Sequence, residues 1–257
     1  MSEATVVARG LTKRFRTRAA SVDAVDGLSF AAGAGEIVGL LGPNGAGKTT
    51  ALRMLATILT PTSGTATVSG FDVCSHPSKV REHIGFVATE TGLYERFTAR
   101  ETLQFFGRIT QLGDHEIARR TDELFDLLAL GPVADRRVGS FSTGEKQKLS
   151  LARSIIHDPP VLILDEPTFG LDVMAARSVM DTVRTFRAQG RTILLSTHIM
   201  RVAEKLCDRI GILFGGRLRA MGTLDELRER FGGGDLEEVF FAAVSSNVST
   251  SSASPLP

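Results

Sequence analysis

The chain has 257 residues, enough for one large domain or two small ones, and at 42% hydrophobic residues it can bury a sizeable core. Its 30 basic and 29 acidic side chains leave a formal charge of +1, which gives no electrostatic basis for a nucleic-acid partner. Two cysteines, Cys74 and Cys207, are too few for a disulfide framework, and no stretch approaches the roughly 18 consecutive apolar residues of a membrane span. The opening MSEATVVARGLTKRF carries no apolar core behind a basic head. The expectation is a soluble, intracellular chain; work at a membrane would need spanning helices from another chain.

In chain order, residues 5–32 alternate as strands do, with a turn-prone break at 16–20. EIVGLL (36–41) is a short apolar run suited to a buried strand, so residues 42–47 must be loop. KTTALRMLATIL (48–59) has helical periodicity, stopped by Thr60-Pro61, and a strand-like stretch follows at 64–69. From about residue 90 to 157 the pattern turns helical. TARE (98–101) is a capping box opening an amphipathic run with Leu103, Phe106 and Ile109 on one face. Asp114 is placed to cap a second helix, with Ile117, Leu124, Leu127 and Leu128 facing inward and Gly131-Pro132 ending it. The α/β rhythm returns with VLILDE (161–166), a helix over 174–189, TILLST (192–197), a helix over 200–207, and RIGILF (209–214), which turns at Gly215-Gly216. This alternation implies a largely parallel sheet covered on both faces, with the helical block inserted into it. The Ser-rich tail, 245–257, lacks periodicity and is expected to be disordered.

Three strand ends carry chemistry. GPNGAGKT (42–49) is a phosphate-loop pattern. Gly42, Gly45 and Gly47 let backbone amides turn toward phosphate oxygens, and the following helix offers its positive end. Lys48 reaches the β- and γ-phosphates as a compact charge, and the Thr49 hydroxyl is placed to ligate Mg²⁺. The second strand delivers Asp165 and Glu166 to its C-terminal end, where α/β sheets bind ligands. Asp165 reads as an anchor behind the Mg²⁺ ligands and Glu166 as the general base for an attacking water. His198 follows the third strand, where it can donate to a γ-phosphate; an ordinary loop hydrogen bond is the alternative. His76, His83, His115 and His157 lie in no motif and read as structural or surface groups.

STGEKQK (142–148), a Ser/Gly turn opening a basic helix ahead of VLILDEP, completes a set that resembles the ATP-binding-cassette (ABC) ATPases over residues 6–231. GPNGAGKTT, FSTGEKQKL, LILDEPT, FGLD (169–172) and STH (196–198) occur in the family's order. The resemblance implies an α/β P-loop NTPase core with a mainly parallel sheet, an N-terminal antiparallel β subdomain and an inserted α-helical subdomain at about 90–157. Residues 1–231 would form the ATPase domain and 232–244 a short C-terminal extension. ATP and Mg²⁺ are the implied cofactors. Gly42, Pro43, Asn44, Gly45, Ala46, Gly47, Lys48, Thr49 and Thr50 would hold the phosphates and the metal; Glu166 would be catalytic, with His198 as its switch. Ser142, Thr143, Gly144 and Glu145 would serve the nucleotide of a second subunit, and Asp172 would cross that dimer interface. Phe15 stands where the family places an aromatic against adenine; the alternative is a core phenylalanine on a strand.

Within the family the chain is similar to ATPase subunits of ABC-2-type exporters, the sodium- and drug-extrusion branch, through IGFVATETGLYERFTARETL (84–103) and GTLDEL…LEEVF (222–240). That implies an integral membrane permease as partner and a peripheral position on the cytoplasmic face of the membrane. The alternative is a soluble ABC-type ATPase without a membrane partner. Two departures stand out. Thr89 replaces the usual Gln, so Thr89 or its neighbour Glu90 is the candidate further contact to Mg²⁺. In the signature, Thr143 replaces the first Gly, Glu145 replaces Gln, and Phe141 stands for Leu. Ser142-x-x-Glu145 is also a capping box, able to satisfy its own helix's N-terminal amides.

Overall fold

The structure, a computed structural model, describes residues 4–16, 21–90 and 92–246. Strands β1 (Ala4–Arg16) and β2 (Ser21–Gly33) pair antiparallel along most of their length. β3 (Ile37–Leu41) is buried at every position, as a strand covered on both faces must be, and feeds through a loop into α1 (Lys48–Leu55). β4 (Ser63–Val68) and β5 (Phe71–Asp72) complete an antiparallel sheet in the order β2-β1-β4-β5. Helix α2 (Pro77–Glu82) and strand β6 (Ile84–Val87) then lead into the helical block of α3 (Ala99–Ile109), α4 (Asp114–Leu128) and α5 (Thr143–Ser154).

The chain re-enters the sheet at β7 (Val161–Asp165), directly beside β6, so the helical block is an insertion between neighbouring strands. There follow α6 (Val173–Ala188), β8 (Thr192–Thr197), α7 (Met200–Leu206), β9 (Arg209–Phe214) and β10 (Arg217–Gly222). The second sheet runs β10-β9-β3-β8-β7-β6, parallel except where β10 folds back antiparallel on β9. Helices α8 (Leu224–Phe231) and α9 (Leu236–Ser245) close the described chain. Among the described residues, no helix is long and apolar enough to cross a membrane.

One core cluster lies between the antiparallel sheet and the parallel one, joining Val6, Leu28 and Phe30 to Leu52, Leu55 and Leu194. A second joins the inserted helices to the sheet through Leu103, Leu124, Leu149, Ile156, Leu164 and Phe186. A third holds the C-terminal helices: Leu227 of α8 and Leu236, Val239 and Phe240 of α9 are buried with Ile210 and Ile212 of β9. The extension expected over 232–244 is therefore mostly a packed helix, with Ser245 as its last residue. The remainder of the expected disordered tail, 247–257, lies outside the described residues.

Several expectations need correction. The first helix stops at Leu55 rather than residue 59, because Thr57 takes a left-handed φ of 60° and the amides of Ile58 and Leu59 turn back to the Arg53 carbonyl. The first helix of the insertion starts at Ala99 rather than near residue 90, and Thr98 and Glu101 form the expected capping box. Leu103 is buried, but Ile109 is exposed, since six residues along a 3.6-residue turn rotate it roughly 120° off that face. Leu127 is exposed for the same reason: Ile117, Leu124 and Leu128 align within a narrow stripe, and Leu127 lies roughly 80° round the helix. Gly113, not Asp114, is the N-cap of α4; Asp114 occupies the first turn, where a carboxylate suits the helix dipole. That helix ends at Leu128, before Gly131-Pro132, because Ala129 turns left-handed at its C-cap.

The close approach of α5 to the sheet is set by Gly85 on β6, where a Cβ would collide with the Ser154 backbone carbonyl at the end of α5. Gly85→Ala is expected to lower unfolding free energy in urea by about 1–3 kcal/mol, the usual cost of overpacking. Gly131, which has open space around it, provides the control: Gly131→Ala should stay within about 0.5 kcal/mol of the parent. Equal effects at both positions would contradict the packing.

Candidate functional site

Three adjacent parallel strands, β3, β8 and β7, end together. Their register pairs Leu41 with Thr197 and Asp165 with Ser196, so the segments that follow converge at one edge of the sheet. After β3 the chain passes into residues 42–47 and then α1. Two glycines there have no substitute. A side chain at Gly42 would strike the Leu213 carbonyl, and Gly47, at φ 103°, would strike that of Ala24. Gly47 is the N-cap of α1, so the loop delivers Lys48 as the first helical residue.

Lys48 is buried, and its ammonium donates to the carbonyls of Gly42 (2.7 Å) and Pro43 (3.1 Å). It also lies 3.3 Å from Glu166 Oε1. The other Glu166 oxygen, Oε2, is 3.0 Å from His198 Nδ1 and accepts from the His198 amide at 3.4 Å. A lysine, a carboxylate and an imidazole thus form one continuous line, each from the segment that follows a different strand. Glu166 takes a φ of 51°, unusual for a non-glycine residue, and its amide is held by Ser196 Oγ (3.0 Å) and the Ser196 carbonyl (3.2 Å).

Asp165 is buried just behind this line. Its Oδ1 accepts from Thr49 Oγ1 at 2.9 Å and from Ser196 Oγ at 2.6 Å. Thr89 Oγ1 donates to the Asp165 backbone carbonyl at 3.3 Å. These groups surround a cavity of about 350 Å³ lined by residues 44–50, Thr89, Glu166 and His198. Ala24 from β2 and Phe169 complete its wall, with the Phe169 ring edge-on to His198 at 6.0 Å between centroids.

Of the residues singled out from sequence, Asn44, Gly45, Ala46, Gly47, Lys48, Thr49, Thr50, Thr89, Glu166 and His198 line the cavity, while Gly42, Pro43 and Asp165 support it from behind. Glu90 is exposed and is not part of the lining. Phe15 is 42% exposed on β1, outside the lining, with Lys13 Nζ 5.4 Å from its ring centroid; it is not a core phenylalanine. Ser142, Thr143, Gly144, Glu145 and Asp172 do not line this cavity either. Ser142 is the N-cap of α5 and makes the full capping box: its Oγ accepts from Glu145 N at 3.2 Å and its amide donates to Glu145 Oε2 at 2.7 Å. Asp172 caps α6, its Oδ1 accepting from the amides of Met174 and Ala175. The two caps are neighbours, since a Cβ on Gly144 would lie 3.1 Å from that of Ala175.

Sequence reasoning missed three contributors. Ser196 was read only as part of a motif, yet it bonds both Asp165 and Glu166. Phe169 belonged to a recognised loop without an assigned contact. Ala24 carries no local signal, because it reaches the site through the fold of β2 over α1.

The chain is similar to known proteins over most of its length. The family described as "ABC transporter" matches residues 25–169. The ABC transporter ATP-binding protein NatA of Bacillus subtilis (strain 168) is 40% identical over 239 residues, covering 93% of this chain and 97% of that protein. The daunorubicin resistance ATP-binding protein DrrA3 of Streptomyces coeruleorubidus is 39% identical over 93% of this chain and 74% of its own length. The Nod factor export ATP-binding protein I of Rhizobium meliloti is 47% identical over 77% of this chain and 59% of its own length. Among solved structures, an ATP-binding subunit of an ABC transporter superposes with a TM-score of 0.83 at 30% identity, covering 93% of this chain and 99% of that one. A dimeric ATP-binding cassette in a post-hydrolysis state, bound to ADP and Pi, shares the fold at a TM-score of 0.77 and 24% identity over 85% of this chain and 98% of its own.

Ser196→Ala removes one of the two side-chain donors to buried Asp165. Urea unfolding should show a loss of about 1–3 kcal/mol, the cost of leaving a buried acceptor short of a partner. A loss below about 0.5 kcal/mol would show that Asp165 does not depend on that bond.

Proposed function

The chain belongs to the ABC transporter family as an ATP-binding, ATP-hydrolysing subunit, and from that premise we propose that it powers export through a separate membrane permease by ATP-dependent dimerisation. The observation that carries the reading is the line Lys48–Glu166–His198 across the cavity. In this reading the amides of residues 44–47, with Lys48, Thr49 and Thr50, hold the phosphates. A cationic lysine at the start of a helix attracts the β- and γ-phosphates. Glu166 accepts the proton of the attacking water, and His198 both orients that carboxylate and donates to the departing phosphate.

Thr49 and Asp165 fit Mg²⁺. A hydroxyl and a carboxylate oxygen 2.9 Å apart form the start of a hard-oxygen site of the kind that ion occupies together with phosphate and water. Bound there, Mg²⁺ would neutralise charge building on the phosphates. Thr89, which lines the cavity and donates to the Asp165 carbonyl, is the better candidate for a further contact than Glu90, which is not part of the lining. Phe15, exposed on β1, carries a ring of the kind that stacks on adenine.

A second copy would complete the site. Ser142 and Gly144 open α5 away from the cavity of their own chain, beside Asp172 and the exposed Val173 and Met174, at 84% and 74% exposure. Helix α5 presents its positive end there, suited to a phosphate held by another subunit. The family pattern and this separation together support a homodimer with two shared sites.

The names of the relatives, drug resistance and Nod factor export, support an exporter, with the chain lying on the cytoplasmic face of the membrane. Tyr94, Phe105 and Ile109 form an exposed apolar surface on the helical block, with Tyr94 and Phe105 edge-on at 5.7 Å. A surface of this kind, a few residues beyond Thr89, suits a permease better than bulk water. Co-purification with an integral membrane protein separates this reading from a soluble ATPase that works alone; purification of an active, partner-free complex from cells would favour the latter.

Glu166→Gln is expected to bind ATP, hydrolyse it on the order of a hundredfold or more slower, and accumulate dimers in size-exclusion chromatography. Near-normal turnover in that variant would remove Glu166 as the base. Lys48→Ala should lose ATP binding in a fluorescent-nucleotide titration, and undiminished binding would contradict the phosphate assignment.

A further inference from the structure

The signature turn carries a carboxylate, Glu145, in the first turn of α5, the end that the shared-site reading turns toward phosphate. Two groups occupy that carboxylate. Its Oε2 accepts from the Ser142 amide at 2.7 Å, and its Oε1 lies 3.3 Å from Arg136 Nη1. The same guanidinium reaches further: Nη2 donates to the Ser140 carbonyl at 2.9 Å, and its central carbon lies 5.5 Å from the Phe141 ring centroid. One arginine therefore touches the residue two before Ser142, the ring immediately before it and the carboxylate one turn after it. The nearest lysine along the helix, Lys146, pairs instead with Glu95 at 3.3 Å. Among the described ion pairs, Arg136 is the cation that faces Glu145.

Charge makes this arrangement consequential. An uncompensated carboxylate beside a helix N-terminus occupies the potential that would otherwise attract an anion, and it repels a phosphate brought close to it. Pairing with a fixed guanidinium cancels most of that repulsion while the capping bond stays intact. We propose that Arg136 is a positioning residue for nucleotide-driven dimerisation. It neutralises Glu145 and holds the Ser140–Phe141 approach to the turn, so that Ser142 and the first amides of α5 can accept the terminal phosphate carried by a second copy. The inference rests on the shared-site reading given above. It assigns a role to a residue outside every recognised motif.

The pair is half-exposed, and surface pairs of this kind add little to folding, so Arg136→Ala is expected to keep the parent's unfolding midpoint. The test measures the ATP concentration giving half-maximal dimerisation, by analytical ultracentrifugation, with every variant built on Glu166→Gln. Adding Arg136→Ala should raise that concentration about tenfold, and the deficit should shrink at high salt as the exposed charge is screened. Adding Glu145→Gln to that variant should restore it to within about twofold of the parent, because Gln keeps the cap and drops the charge. Unchanged dimerisation in the Arg136→Ala variant overturns the proposal. So does a deficit that persists undiminished with Glu145→Gln, since Arg136 would then act only on the shape of the turn. If Glu166→Gln itself fails to dimerise with ATP, the shared-site reading falls, and this inference with it.

Discussion

Everything at this site depends on holding Glu166 in place between Lys48 and His198. Lys48 is 5% exposed and Glu166 11%, so both have left most of their water. Stripping solvent from either ion alone costs several kcal/mol, and only close pairing with further hydrogen bonds offsets it. The fold supplies both. Lys48 has two backbone carbonyls besides the carboxylate, and Glu166 has the imidazole and amide of His198. The left-handed backbone at Glu166 aims its side chain into the line, and Ser196 holds that backbone with two acceptors.

The parallel sheet exists, in this sense, to bring three strand ends to one place. Strands β3, β7 and β8 are buried on both faces because helices and the antiparallel sheet cover them. A slip of one residue in the pairing of β7 with β8 would separate Asp165 from Ser196 and undo the brace behind the cavity. The insertion between β6 and β7 then places a second chemical surface, the capped turn of α5, on a different part of the molecule. Gly85 sets how closely that helix lies on the sheet. In the proposed reading, binding and completion of the site are divided between these two surfaces, and a second copy supplies the missing one.

Much of this was legible in the sequence because short-range chemistry imposes it. TILLST and RIGILF match β8 and β9 residue for residue, since each centres on a short apolar run bounded by turn signals. Both capping boxes, at Thr98 and Ser142, form as their spacing requires. What the sequence concealed comes from long-range packing. β10 and β6 lack a strong pattern of their own and take their form from the neighbours they pair with. Ile109 and Leu127 look like core by composition but fall outside the stripe that packing selects. Helix α9 reads as a short extension until its Leu236, Val239 and Phe240 are seen buried beside β9. Within the site, Ser196 was hidden because its two bonds join residues 30 and 31 positions away.

The central claim is that each nucleotide is held by Lys48 of one copy and Ser142 of another. The most direct measurement mixes two inactive chains, Lys48→Ala and Ser142→Arg, and follows ATP hydrolysis after the mixed dimer has been demonstrated by differential tagging. The account predicts that turnover reappears, because the mixed dimer contains one site with its lysine and its serine both intact. A mixed dimer that assembles and hydrolyses no ATP would contradict it.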